Sequence, residues 1–493
     1  MRHAHSSVPR AGLDCATNVR HFERARLLWQ NDEIDAADRL LSQILAAQPG
    51  YLDAALLHAR LLQGQGRLDA ASGAIDNLCR NANLDAANFL RCIQFVRQCQ
   101  RQPLAARLCE LAFARAVITA DLHALCGMIH RELGQFDAAR HQYQQALEAG
   151  VDLNAWFVLG ALASIQRYED AAHPDFERLH AHFHDVNFSE RARAASAFGL
   201  AKACDDIGDY ARAASTLRSA NVCARAAQPW RRIDWDRWVD QRVQPGRAIA
   251  PSSADGDGRF APVFVVGLPR SGTTLTALQF AGHADVRVRG ELPHIPYIAS
   301  RLDASGRSKD PAALHEAARL YAAHMRQDDA PARWHLDGNQ MNFRHLDLIA
   351  RLFPQARVIH CVRERRDAAL SQWSQFFAHD DCAFANRWED IAAFCAGHDR
   401  LMRHWAEQLD LTIHTVVYED LIADPARART GLEQFLGLSA QPVHDRNGRP
   451  GHAVTSSSVW QARQPIHGAS VGRWKNYRPY VPELVAIANG WPT

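Results

Sequence analysis

The stretch VFVVGLPRSGTTL, residues 263–275, decides how the second half of this chain is read. Ala261 to Val266 is a continuous apolar run with β-branched residues, bounded by Gly267. Such a run predicts a buried strand. A loop holding Gly267 and Gly272 follows, and LTALQFAG, residues 275–282, then takes up a helical pattern. Glycines at these two places let backbone N–H groups converge on an anion with no Cβ in the way. The start of the helix adds unpaired donors and partial positive charge. Thr273 and Thr274 add hydroxyls in its first turn.

The spacing GxxxxG is that of a nucleotide-triphosphate loop, but Thr273 stands where such a loop carries Lys. The cation is instead Arg270, inside the loop. That arrangement suits a 5′-phosphosulfate better than a magnesium triphosphate, so a kinase is the disfavoured reading. Two further apolar runs, RVIHCV over 357–362 and TIHTVV over 412–417, also look like strands, each followed by a loop and a helical pattern. Strand, loop and helix in alternation predict an α/β domain with a parallel sheet of P-loop type over 261–493.

The first half differs. It is rich in Ala and Leu, and apolar residues recur at helical spacing, as in YLDAALLHARLLQ. A short element repeats: EIDAA at Asp35, RLDAA at Asp69, QFDAA at Asp137, YEDAA at Asp170 and DYARAA at Tyr210. Asp35 and Asp69 lie 34 residues apart, and Asp69 and Asp137 lie 68 apart, twice that, with a weaker copy, PLAARL, near Ala105. A 34-residue period of paired helices predicts an all-α tetratricopeptide-repeat solenoid, whereas an ordinary helical bundle would need no period. The expected organisation is a flexible tail over 1–18, the repeats over 19–225, a connecting segment and linker over 226–260, and the α/β domain over 261–493. The linker is the stretch QPGRAIAPSSADGDGR, residues 244–259.

Composition narrows the function. The chain has 493 residues, 47% hydrophobic and 22% charged, with a formal net charge of +2. A nucleic-acid or membrane-surface binder would carry a basic excess, so neither partner is expected. Lysine occurs at Lys202, Lys309 and Lys475 alone, so a site needing a cation must use Arg. Eleven cysteines, with no CxxC pair, read as reduced thiols of a cytosol. The start MRHAHSSVPRAG has no apolar run of a signal peptide, and no stretch approaches the roughly 20 apolar residues of a membrane span. A cytoplasmic protein is expected. His180, His182 and His184 alternate, which spreads them around a helix, and no metal site is expected.

With PRSGTT at Pro269–Thr274 and the repeats together, the chain resembles bacterial sulfotransferases that carry tetratricopeptide repeats, and its second half is similar to protein-tyrosine sulfotransferases. The resemblance implies 3′-phosphoadenosine 5′-phosphosulfate as sulfuryl donor, with no metal, its 5′-phosphosulfate held by Pro269, Arg270, Ser271, Gly272, Thr273 and Thr274. It implies that the 3′-phosphate is held by an Arg at a strand end and a Ser eight residues on, which Arg363 and Ser371 match. A bidentate Arg with a hydroxyl donor is what such a dianion wants. Arg365 stands where the family often has Pro. The resemblance puts Tyr418 near the adenine. It makes Ser458, Arg463, Ser470, Arg473 and Trp474, in SSSVWQARQPIHGASVGRW, candidates for lining the nucleotide or acceptor.

For catalysis the resemblance points to Glu291, in DVRVRGELPHI, as the base that takes the acceptor proton, with Arg270 stabilising charge on the donor. One departure stands out. The family pattern Asp-Lys-Met-Pro-x-Asn-Phe falls on HLDGNQMNF, which keeps Asp337, Asn342 and Phe343 but has Gly338 for Lys and Gln340 for Pro. Three outcomes stay open: Arg270 suffices, Arg344 or His345 substitutes, or activity is reduced or lost. In the last case the chain is a repeat scaffold with a nucleotide-binding but inactive domain. The acceptor is a hydroxyl on a peptide tyrosine, a carbohydrate or a small molecule. The repeats would present a concave surface for a peptide, a protein acceptor or homo-oligomerisation.

Overall fold

The computed structural model describes residues 15–31, 33–244, 260–378, 380–439, 460, 463–464 and 466–488. Most of the 244–259 linker and the candidate Ser458 lie outside them. The described chain divides into two compact units, one of residues 1–118 with 327–329, the other of residues 119–326 and 330–493.

The first unit is all helical. Its helices are α1 (Cys15–Gln30), α2 (Ile34–Ala47), α3 (Leu52–Gly64), α4 (Leu68–Asn81), α5 (Ala86–Gln98) and α6 (Gln102–Ala114). They pack as sequential hairpins, α1 on α2, α3 on α4 and α5 on α6. The small residues of the repeated element are what let them close: Ala37 in EIDAA and Ala71 in RLDAA are fully buried. Leu41, Ile44, Ala54 and Leu61 join Ala37 in one apolar cluster.

The second unit begins with eight helices: α7 (Ala120–Leu133), α8 (Phe136–Glu148), α9 (Leu153–Trp156), α10 (Val158–Ala163), α11 (Pro174–His184), α12 (Glu190–Asp206), α13 (Tyr210–Ala227) and α14 (Arg232–Arg242). The sheet follows, with strands β1 (Val263–Gly267), β2 (Val286–Val288), β3 (Trp334–Asp337), β4 (Arg357–Val362) and β5 (Thr412–Val417). Between and after them run α15 (Thr273–Leu278), α16 (His294–Ala304), α17 (Pro311–Arg326), α18 (Leu346–Leu352), α19 (Arg365–Trp373), α20 (Trp388–Gln408), α21 (Tyr418–Ala423) and α22 (Pro425–Leu436).

The strands lie parallel in the order β2-β3-β1-β4-β5, with β1 at the centre and every one of its residues buried. This is the environment that the run VFVVG requires. Val263 and Val265 face one apolar layer with Leu421, Leu432 and Leu436. Phe264 and Val266 face the other, which runs without a break into Leu159, Leu200, Leu217 and Val239 of the helices before the sheet. Residues 158–239 thus share a core with the sheet. TIHTVV, read beside the buried runs, is an edge strand. Among the described residues it pairs only with β4, and Thr412, Thr415 and Val417 are exposed. Among the described residues, no helix is long and apolar enough to cross a membrane.

Candidate active site

The loop after β1 is shaped by its two glycines. Gly267 has φ of 151°, and a Cβ there would lie 2.5 Å from the carbonyl oxygen of Cys361 on β4. Gly272 has φ of 97°, and a Cβ there would lie 2.6 Å from Cδ2 of Tyr418. Side chains are excluded at both positions by space as well as by backbone conformation. Between them Arg270 takes φ of 70°, a left-handed conformation that costs a non-glycine residue energy and marks a site held by its surroundings. Ser271 N–H donates to Leu268 O at 3.1 Å and closes the turn. The following α15 is only six residues long, so any anion at this turn would meet the loop's own amides more than a helix macrodipole. Ser271 is buried, and its Oγ has no hydrogen-bond partner among the described residues.

Two places about ninety residues apart in sequence meet here. Arg270 Nε donates to Ser371 Oγ at 2.9 Å. Arg363, the residue after β4, donates from Nη1 to Arg270 O at 3.0 Å and from Nη2 to Ser470 O at 2.6 Å. Its guanidinium lies over the Tyr418 ring, 4.4 Å from the centroid. Gln372, beside Ser371, donates to Pro269 O at 2.8 Å. Helix α19 is started by Glu364, whose carboxylate accepts from Asp367 N–H at 2.9 Å, and this start points Ser371 at the loop one residue short of Gln372. Arg270, Arg363, Ser371, Ser470 and Tyr418 line a cavity of about 480 Å³ together with Glu291, Thr273 and Thr274. Burial and the neighbouring Arg363 and Arg473 cations push the Arg270 pKa down to about 10, so it stays charged at neutral pH.

The closing segment divides. Ser470 and Arg473 line the cavity. Trp474 is buried and stacks under Arg366, 3.7 Å from guanidinium to ring centroid. Arg463 reaches the end of α7, where Nη2 donates to Glu132 O at 3.3 Å. Neither Trp474 nor Arg463 belongs to the cavity wall. Asp367 anchors the segment by accepting from Gly472 N at 2.6 Å and Trp474 N at 2.9 Å.

Opposite the loop stand two carboxylates. Asp337, at the end of β3, is fully buried and accepts four hydrogen bonds: from Leu292 N at 3.3 Å, Asn339 N at 2.9 Å, Tyr321 Oη at 2.8 Å and Asn342 Nδ2 at 3.0 Å. Burial still outweighs these donors and raises its pKa to about 6. Glu291 faces the cavity, and its pKa is raised to about 7 by burial and by the Asp337 charge, against the opposing pull of a Gln340 hydrogen bond and the Arg270 cation. Gly338 N donates to Gly290 O at 2.7 Å, which ties the two carboxylate-bearing loops together. Arg344 pairs with Asp381 at 3.4 Å. His345 packs edge-on to Trp238 in a separate small pocket, and burial and two flanking arginines lower its pKa to about 3. Neither side chain lines the main cavity, so neither stands in for the missing Lys.

The cavity also has a wall that motif reading missed. Arg167, from the loop between α10 and α11, and Lys202, Asp205, Asp206 and Tyr210, from α12 and α13, line it. Their only signal was the copy DYARAA at Tyr210, which reads as repeat packing. Among the described residues, no group of three or more His, Cys, Asp or Glu is arranged to hold a metal ion.

Comparison with known proteins gives the site its family. Residues 262–442 match the family model described as Sulfotransferase family. The chain is 29% identical over 328 residues to an uncharacterized protein of Aquifex aeolicus, a match covering 60% of this chain and 42% of the relative. It is 24% identical over 250 residues to protein-tyrosine sulfotransferase 2 of Gallus gallus, covering 44% of this chain and 64% of the relative. It therefore spans less than two thirds of either curated relative. Among solved structures, the sulfotransferase domain of the Synechococcus PCC 7002 olefin synthase overlays with a TM-score of 0.34 and 20% identity, covering 49% of this chain and 98% of that one. The assignment rests on the sequence match: residues 262–442, which carry the glycine loop, Glu291, Arg363 and Ser371, form a sulfotransferase-family domain with distant similarity to a tyrosine sulfotransferase.

Proposed function

We propose that this protein transfers a sulfuryl group from 3′-phosphoadenosine 5′-phosphosulfate to an acceptor hydroxyl. The observation that carries the reading is the convergence of Arg270, Ser371 and Arg363 on one cavity that Glu291 also faces. Loop amides, with Pro269 and Ser271 to Thr274, cradle the 5′-phosphosulfate. Arg363 and Ser371 take the 3′-phosphate, and Tyr418 bounds the adenine. The acceptor oxygen attacks sulfur in line and forms the new S–O bond. The bond from sulfur to the bridging oxygen breaks, and its electron pair stays on the phosphate. The acceptor proton passes to Glu291, whose raised pKa suits a base working near neutral pH. Arg270 meets the charge gathering on the bridging oxygen. In this reading the helices over 19–225 are tetratricopeptide repeats that recruit the acceptor, and the protein works in the cytoplasm, where its buried free thiols stay reduced.

One observation favours a second reading. Gly338 leaves the family's Lys position empty of charge, which fits a domain that binds nucleotide without turning it over. Titration calorimetry with adenosine 3′,5′-bisphosphate, followed by an acceptor screen with labelled donor, separates the two. Wild-type protein binds one equivalent, and Arg363→Ala weakens binding about 10–100-fold, the worth of a charge-assisted contact. If wild-type protein does not bind the bisphosphate, the whole reading fails. Binding without transfer to any acceptor selects the scaffold.

A further inference from the structure

The wall supplied by the helices before the sheet lies outside the sulfotransferase-family match, yet it touches the phosphate-facing cations. Asp205, in the last turn of α12, lines the cavity and pairs with Arg473 Nη2 at 2.8 Å. The same Oδ1 accepts from Tyr477 Oη at 2.5 Å. Tyr210, at the start of α13, braces this pair: its ring lies edge-on to Tyr477 at 5.3 Å, and its Oη accepts from Asn476 Nδ2 at 3.1 Å. Further along α13, Arg218 bonds Glu483 at 2.7 Å and Tyr480 O at 3.2 Å. Leu217, Trp474, Tyr477 and Leu484 share one apolar core beneath these contacts. The closing segment is therefore seated on α12 and α13, and the seat is polar where it meets the cavity.

Arg473 lines the same cavity as Arg270 and Arg363, and its charge helps push the Arg270 pKa down. Three guanidinium groups, those of Arg270, Arg363 and Arg473, thus crowd one end of the cavity. Like charges at this spacing repel, and a flexible Arg side chain would turn out to solvent unless something held it. Asp205 holds Arg473 through Nη2, and the guanidinium also lies 5.4 Å from the Tyr477 ring centroid. Among the described residues no other side chain hydrogen-bonds the Arg473 guanidinium, so its remaining donors stay available to an anion.

We propose that Asp205 is a positioning residue for the donor nucleotide. It keeps Arg473 in the cavity wall as a third cation on the donor phosphates, so that nucleotide affinity depends on a helix outside the family domain. This rests on the sulfuryl-transfer reading above. The chemical class recognised is the bis-phosphorylated adenosine, and Asp205 touches no reacting atom.

The test is calorimetry of adenosine 3′,5′-bisphosphate binding and donor KM against kcat, on the full chain. Asp205→Ala is expected to weaken the bisphosphate about tenfold and raise donor KM about as much, with kcat at saturating donor within about twofold. Asp205→Asn, whose amide oxygen can still accept from Arg473 and Tyr477, recovers most of the loss. The Asp205→Ala, Arg473→Ala double variant binds no more weakly than Arg473→Ala alone, because the first change acts through the second residue. Arg473→Gln carries the test if Asp205→Ala does not fold, and loses about tenfold itself. Wild-type affinity or better in Asp205→Ala, wild-type affinity in Arg473→Gln, or additive losses in the double variant would overturn the proposal. Wild-type binding that Arg363→Ala destroys and Asp205→Ala leaves intact refutes this inference alone. No binding by the wild type refutes the reading beneath it.

Discussion

The ends of β1 and β3 are neighbours in the sheet, with Phe264 level with Asp337, yet they gather opposite charge. Beyond β1 stands a cluster of guanidinium groups, and beyond β3 a pair of carboxylates. Burial acts on both alike. It pushes Arg270 down to about 10 and lifts Glu291 to about 7 and Asp337 to about 6, each toward its neutral form. Arg473 pairs with Asp205 and Arg270 donates to Ser371, so the cations are held by their neighbours. In the proposed function a bis-phosphorylated nucleotide meets the cations and an acceptor hydroxyl meets Glu291. Two ends of opposite charge face one cavity, and in the proposed function each meets a different substrate.

The largest expected effect breaks one half and spares the other. Glu291→Gln removes the base but no cation, so turnover falls about 10²–10⁴-fold while bisphosphate affinity stays within about twofold. In the wild type, kcat/KM is expected to fall tenfold per pH unit below an apparent pKa of about 7, because the base must be ionised before it can accept the proton. Steady-state rates across pH 5.5–8.5 and calorimetry on both proteins check this. Unchanged turnover in Glu291→Gln would remove Glu291 from the chemistry.

The two ends also differ in how far the sequence alone discloses them. The β1 loop is local: a buried run, two glycines and an arginine within eight residues require one another, so strand, turn and anion cradle were legible together. The Arg363–Ser371 pair came from the family resemblance, whose Arg at a strand end and Ser eight residues on these two residues match. The other side was not legible. Asp337 matters through donors from Leu292, Tyr321 and Asn342, residues that only the folded chain gathers. Trp474 and Arg463 looked like liners, but one packs under Arg366 and the other reaches α7. Asp205 sits in an ordinary helical stretch, and its meaning comes from Arg473, nearly 270 residues later. Chemistry carried by backbone conformation leaves a sequence mark. Chemistry carried by packing between distant elements does not.

A stability measurement sharpens the same contrast. Folding raises the Glu291 pKa from 4.5 to about 7, so the folded state holds that proton more tightly than the unfolded chain does. The penalty for ionising it is absent below pH 4.5 and complete above about pH 7. Glu291→Gln lifts this penalty and is worth on the order of 3 kcal/mol at pH 8.5, but almost nothing near pH 4.5. Thermal melts at the two pH values are expected to show Glu291→Gln above wild type at pH 8.5 and level with it at pH 4.5. Equal melting temperatures at both would mean that Glu291 is not strained by its burial.

Gly338 offers the smallest and most selective intervention, because it carries a cation to the carboxylate end. A Cβ at this position would lie 3.3 Å from Gly290 O and meets nothing closer, so a side chain fits after a shift of a few tenths of an ångström. Gly338→Lys would place an ammonium group on the loop bonded to Gly290, next in sequence to Glu291. An opposite charge within a few ångströms favours the carboxylate and lowers its pKa by about one unit. The acid limb of kcat/KM is therefore expected to move down by about that much, raising the rate at pH 6 severalfold and leaving the rate at pH 8.5 nearly unchanged. If the new cation instead serves the leaving oxygen, the gain appears equally at every pH. A limb left where it was, with no gain at any pH, would show that Arg270 alone supplies the positive charge the reaction uses.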